Sequence, residues 1–275
     1  MTVPPYACDT HIHVIGPYER YPKAPEIEEG CPEAPVAKMQ EFLRVLGLTR
    51  AVIVHVSYAG TAPDVTLDAI AEMDGDARGV LILDPDTPDA DMHRFTERGI
   101  RGARLTPQFG KAADARAVTA LAEKIAPYGW HMLFMPSGPE QWLELAPLLG
   151  SLPVDVVIDH MAWRGWRVDV GLDQPGFKAL LALAETGRAW IKLGGVSRMS
   201  QTDAPWSDVN PFAEALVEAR PDRILWCSDW PHVRMWSTPM PDDDALLDWL
   251  AALDVPAGSA ERILVDNPAA LYGFD

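Results

Sequence analysis

The stretch ACDTHIHV, residues 7–14, places His11 and His13 one residue apart behind Asp9. Side chains alternate faces along a β-strand, so positions i and i+2 point the same way. On a strand the two imidazoles converge. They could ligate a metal, act on a substrate without one, or fill a core as polar residues. Further groups of the same chemical kind follow: His55 and Ser57, Arg104, His160, and Asp229 with Trp230, Pro231 and His232 after it. Imidazoles can ligate or carry protons, a carboxylate can accept a proton from water, and an arginine fork can hold an anion.

These residues fall at particular places in a repeating pattern. Short Val/Ile/Leu-rich runs at 6–15, 51–57, 79–84, 100–106, 130–135, 154–160, 189–195 and 223–229 read as strands buried on both faces. Amphipathic stretches at 36–47, 64–73, 89–99, 115–129, 139–150, 177–187 and 210–221 read as helices between them, with two more at 242–253 and 259–273. Several end in glycine, a common helix stop. Eight strands alternating with helices predict an α/β chain folded as a (β/α)8 TIM barrel, one domain over residues 1–275. An open doubly wound sheet fits less well, because no glycine-rich phosphate loop follows the first strand. In a barrel, polar residues at the C-terminal ends of strands build active sites. His11, His13, His55, Ser57, Arg104, His160 and Asp229 all lie late in their strands. The long loops at 16–35 and 196–209 belong to the same rim.

The rule also sorts residues away from the site. His131 begins its strand and reads as structural, at the opposite rim. Asp9 lies deeper than His11 and reads either as a buried hydrogen-bonding partner or as a chemical group. Lys192 is mid-strand, so it is functional or paired with an inner acid, since an unpaired buried ammonium is costly. His55 reads as a satisfied core histidine rather than a ligand. The tryptophans at 163, 166, 206, 230 and 236 fit an aromatic pocket, a contact between copies of the chain, or ordinary loop packing.

Composition bounds the partners. Lys plus Arg number 23 against 40 Asp plus Glu, a formal net charge of −17. That argues against nucleic acid or an anionic membrane surface. It leaves a small anionic substrate open, because a few arginines in a pocket reverse the local field. Cys8, Cys31 and Cys227 are too few and too scattered for a disulfide framework or a zinc ribbon. The opening MTVPPYACD has no basic region or long apolar core, and no run is long enough to span a bilayer. A cytoplasmic protein is expected.

His-x-His on strand one, a histidine ending strand six and an aspartate ending strand eight resemble the amidohydrolase superfamily. DTHIHVIGPYERYP, VVIDHM, RILWCSDWPH and the tail ERILVDNPAALYG look like the group that contains 2-pyrone-4,6-dicarboxylate lactonase, over about residues 8–273. The resemblance implies opening of a small anionic lactone by water. Asp229 would be the general base, and His11, His13 and His160 would polarise the carbonyl. Arg104 and Arg198 would hold substrate carboxylates, with Ser57 and Tyr21 beside the substrate. Two departures, TPQFGK with Lys111 after strand four and Phe134–Met135 late in strand five, point to an anionic lactone other than the pyrone dicarboxylate. No metal is expected to be required, and His11, His13 and Asp229 are the ligands for a zinc or manganese ion if one binds. A lactone isomerase and a zinc-dependent decarboxylase of the same superfamily are the alternatives.

Overall fold

The computed structural model describes residues 2–25, 31–83, 86–105, 113–236 and 240–275. Lys111 lies outside them. Eight parallel strands follow one another in chain order: β1 (Cys8–Ile12), β2 (Arg50–Val54), β3 (Ala77–Ile82), β4 (Ile100–Arg104), β5 (His131–Phe134), β6 (Val156–Ile158), β7 (Ala189–Leu193) and β8 (Ile224–Trp226). A parallel bridge between Ile12 and Trp230 links the last segment to the first. The Asp229 N–H donates to the His11 carbonyl at 3.1 Å, and the His13 N–H donates to the Trp230 carbonyl at 2.8 Å. This is the expected (β/α)8 barrel. The seam that closes it carries three of the expected site residues.

The outer layer comprises α1 (Val36–Leu46), α2 (Asp64–Ala71), α3 (Asp89–Glu97), α4 (Ala115–Ile125), α5 (Pro139–Leu149), α6 (Pro175–Glu185), the single turn α7 (Val196–Met199), α8 (Asn210–Ala219) and α9 (Asp243–Ala251). Two short helices, α10 (Ser259–Glu261) and α11 (Asn267–Tyr272), flank a wider-wound stretch at Arg262–Asp266. Local rules account for the ends. Gly47 takes a left-handed conformation after α1, and the Asp114 carboxylate accepts the Ala117 N–H at the start of α4. No helix among the described residues is long and apolar enough to cross a membrane.

Two apolar layers hold the barrel. Helix faces pack on its outside, while Cys8, Val52, Val54, Val80, Leu133, Val157, Trp190 and Leu225 fill its interior above Tyr272 and Phe274. The strands are shorter than their apolar runs suggest. The run 154–160 yields only Val156–Ile158, because His160, Met161 and Ala162 turn left-handed, with φ of 47°, 53° and 52°. Three consecutive L-residues in that region carry strain of about 1–3 kcal/mol each. The bend swings His160 out of the sheet and over the barrel mouth.

Candidate active site

A cavity of about 160 Å³ opens at the C-terminal ends of the strands, lined among others by His11, His13, Ser57, Arg104, Asp159, His160, Arg198 and Asp229. The structure therefore brings together all but one of the expected site residues. The exception is Tyr21, which is absent from the lining. Its hydroxyl donates to Asp68 Oδ2 at 2.7 Å, which holds it over α2.

The cluster around Asp229 is tight. Asp229 Oδ1 is 3.8 Å from His11 Nε2, 3.7 Å from His13 Nε2 and 3.8 Å from His160 Nε2. Burial pushes the Asp229 carboxyl up, but His160, Arg198, His11 and His13 together outweigh it and hold it below the usual carboxylate range. Arg198 does not reach across the cavity. Its Nε and Nη2 donate to Asp229 Oδ2 at 3.1 and 2.7 Å, and Nη2 also donates to the Val233 carbonyl at 3.0 Å.

Asp159 is a site residue that the sequence reading did not single out. Its Oδ1 accepts from His11 Nδ1 at 2.9 Å, and its Oδ2 lies 3.8 Å from His160 Nε2. Burial raises its pKa, but His11, His160 and Lys192 overcome that and hold it well below the ordinary value. The available signal was its place next to His160. Strand parity also points to it, since Val157 faces the barrel interior and Asp159 lies two residues on; the left-handed bend that follows is what brings the adjacent His160 to the same cavity.

The tautomers follow from these bonds. His13 Nδ1 donates to the Val54 carbonyl at 2.7 Å, and His11 Nδ1 donates to the Asp159 carboxylate. Burial lowers the His13 pKa to about 4 and that of His11 well below its usual value, so both rings are neutral near pH 7. Two Nε2 lone pairs then face each other at 3.2 Å with no hydrogen between them. Neighbouring ligand atoms of a tetrahedral zinc lie about 3.3 Å apart, given bonds of about 2.0–2.1 Å. The Nε2 atoms of His11 and His13 with Asp229 Oδ1 therefore fit a divalent cation, and a second set of His11, Asp159 and His160 shares one of those rings.

The remaining polar residues support this arrangement. Asp9 Oδ1 accepts the His11 and Ser228 N–H groups at 3.0 and 3.2 Å and so pins β1 to the segment after β8. Burial raises its pKa to about 7, and its Oδ2 has no partner. Lys192, fully buried, donates to the Thr10 carbonyl at 2.6 Å and lies 3.4 Å from His11 Nδ1 and 3.8 Å from Asp159 Oδ1. It is thus paired with an inner acid. Gly194 leaves room for His160: a Cβ there would collide with Cys227 Sγ and approach His160 Nδ1 to 3.2 Å. His55 is satisfied by Thr66 Oγ1 at 2.8 Å and the Gly60 carbonyl at 3.1 Å. His232 pairs with Asp243 at 2.8 Å, outside the cavity lining. His131 sits at the other end of the barrel with its ring edge toward Tyr272. The tryptophans disperse: Trp166 stacks on Phe212 and Trp230 on Phe42, and of the five only Trp163 lines the cavity.

Comparison with known proteins agrees with this geometry. The amidohydrolase family profile matches residues 8–274. The chain is 35% identical to a 4-sulfomuconolactone hydrolase of Rhizobium radiobacter, over 98% of this chain and 91% of that one. It is 32% identical to a 2-pyrone-4,6-dicarboxylate hydrolase of Comamonas testosteroni, over 98% and 91%. A solved apo structure from Agrobacterium tumefaciens superposes with a TM-score of 0.84 at 28% identity, covering 99% of this chain and 97% of that one.

Proposed function

Because the chain belongs to the amidohydrolase family, we propose that it hydrolyses the ester bond of a small anionic lactone. The observation that carries the reading is the convergence of three imidazole Nε2 atoms on one oxygen of Asp229, in a cavity that also holds the Arg104 side chain. Arg104 orients the substrate through an acidic substituent, which its planar fork can grip at two points. Asp229 accepts a proton from the attacking water at Oδ1, while Arg198 fixes the carboxylate through Oδ2. His160 has a carboxylate oxygen of Asp159 and one of Asp229 each 3.8 Å from Nε2, which favours a hydrogen at that nitrogen. It is the ring suited to donate to the developing oxyanion. Collapse of the tetrahedral intermediate breaks the ring C–O bond. The products are a carboxylate, a hydroxyl group and one released proton.

His11, His13 and Asp229 would hold a zinc or manganese ion, which there would polarise the carbonyl and lower the pKa of water. Burial raises the Asp229 pKa, but His160, Arg198, His11 and His13 hold it below the usual carboxylate range, which weakens it as a base and favours further activation of the water. That argument and the metal-free expectation from the sequence make opposite predictions. A panel of anionic lactones is incubated with chelator-stripped protein and a pH indicator, then again with zinc or manganese, with Asp229→Asn as control. Acid release that is lost in the variant supports hydrolysis, and its dependence on added metal decides how His11 and His13 act. Ring migration with no net acid would replace hydrolysis with isomerisation.

A further inference from the structure

Three imidazoles converge on Asp229 Oδ1, and what stands behind each ring sets it apart. Behind His11 is the Asp159 carboxylate, and behind His13 the Val54 carbonyl. Both rings therefore donate from Nδ1 and turn an Nε2 lone pair toward Asp229. Behind His160 is a thiol. Among the described residues, its Nδ1 has one hydrogen-bonding partner, Cys227 Sγ, at 3.9 Å. The first two rings have acceptors at their backs, and the third has a group that can donate.

Sequence and fold build this contact. Cys227 follows β8, and its N–H donates to the Leu193 carbonyl at 3.1 Å, which ties it to the end of β7. Gly194 and Gly195 come next on that side. A Cβ at Gly194 would collide with Cys227 Sγ and lie 3.2 Å from His160 Nδ1, and one at Gly195 would lie 3.4 Å from the same nitrogen. Gly195 also has a φ of 68°, where a side chain is strained. The paired glycines thus leave the space in which sulfur and ring edge meet. Sulfur and ring are both buried, so bulk water does not take the place of the thiol. The direction of the bond follows from the opposite edge. Nε2 faces carboxylate oxygens of Asp159 and Asp229, each at 3.8 Å, which would repel a lone pair there. The ring hydrogen therefore belongs on Nε2, and Nδ1 accepts. The thiol has a hydrogen to give, since burial disfavours a thiolate. An S–H group is a weak donor. It suffices, because a neutral imidazole carries one ring hydrogen and a bond at one nitrogen decides which.

We propose that Cys227 is a positioning residue: its thiol donates to His160 Nδ1, fixes the Nε2–H tautomer, and makes His160 the one ring of the three that offers a hydrogen to the developing oxyanion. The consequence for catalysis rests on the lactone reading, whereas the bond itself does not. Without the thiol, His160 is free to turn a lone pair toward the negative charge it should stabilise.

Nuclear magnetic resonance of the whole chain, isotope-labelled in its histidine nitrogens, tests this at about pH 8, where a histidine of ordinary pKa is neutral. The His160 signals, identified by their loss in His160→Leu, should show a hydrogen on Nε2 and none on Nδ1. In Cys227→Ala they should move toward the average of the two tautomers. The S–H stretch that Cys227→Ala removes should lie in the parent at the lowered frequency of a bonded thiol, and return to the free value in His160→Leu. On any lactone that the chain opens, Cys227→Ala should lower kcat about tenfold and leave KM within about twofold, as befits a partner placed behind a site histidine. A thiol that only filled space would change stability and leave the tautomer untouched. A hydrogen on Nδ1 in the parent, unchanged His160 signals in Cys227→Ala, or parental kcat in that variant overturns the proposal. The parent spectrum decides even where a variant does not fold. A chain that opens no lactone yet shows the bonded thiol keeps the tautomer assignment and loses the hydrolysis.

Discussion

Replacing Asp159 by Asn should unsettle the site through Lys192. Lys192 is fully buried, and its ammonium lies 3.8 Å from Asp159 Oδ1. Removing one member of a buried ion pair leaves the other charge uncompensated, at about 3–5 kcal/mol. Unfolding entropy is about 2.1 cal/mol/K per residue, so in a chain of 275 residues that loss lowers Tm by roughly 5–9 °C. Asn still offers a carbonyl to His11 Nδ1, which isolates the charge effect from the hydrogen bond. The second arm removes both charges. Asp159→Asn with Lys192→Met replaces the pair by neutral groups of similar size, and such replacements cost far less than half-pairs. The double variant should lose only about 1–2 kcal/mol, and the cycle should show a coupling of at least about 2 kcal/mol. Denaturant unfolding of the parent, both single variants and the double variant measures this. The His11 side-chain nitrogen signals should keep the Nδ1–H tautomer in the parent. Additive losses in the double variant would refute the pairing of Lys192 with Asp159.

Three further outcomes follow from the same geometry. Gly194→Ala should destabilise by about 1–3 kcal/mol through overpacking and lower kcat by displacing His160, with partial recovery of stability when Cys227→Ala removes the sulfur it meets; parental stability and kcat in Gly194→Ala would contradict the packing. His131 is depressed to about 3 by burial and stays neutral in the fold, whereas the unfolded chain takes up its proton below about 6.5, so stability is full above that pH and falls as the pH drops. His131→Phe should remove about 2 kcal/mol of the loss between pH 7.5 and 5.0, and an unchanged loss in denaturant unfolding would show that the ring is not buried neutral. Tyr21→Phe should cost about 1 kcal/mol, for the bond to Asp68, and leave kcat/KM within about twofold; a tenfold fall would place Tyr21 at the substrate.

Much of this was legible in the chain itself. The alternation of buried strands and amphipathic helices specifies the barrel, because each run must bury two faces or one stripe and only a few layered solutions do both. His11, His13, Arg104 and Asp229 were readable from chain position alone, since late strand positions share one rim. Tertiary structure decided what those rules cannot express. The left-handed bend at His160–Ala162 breaks strand parity and so brings His160 into the same cavity as its neighbour Asp159. The partners of Arg198 and Tyr21 depend on which carboxylates fold next to them, and the sequence separations of 31 and 47 residues are invisible to local patterns. Arg164 and Arg234 sit in loops, where no periodicity ties a side chain to a face. Their shared place at the cavity mouth exists only once β6 and β8 have been brought to the same end of the closed barrel.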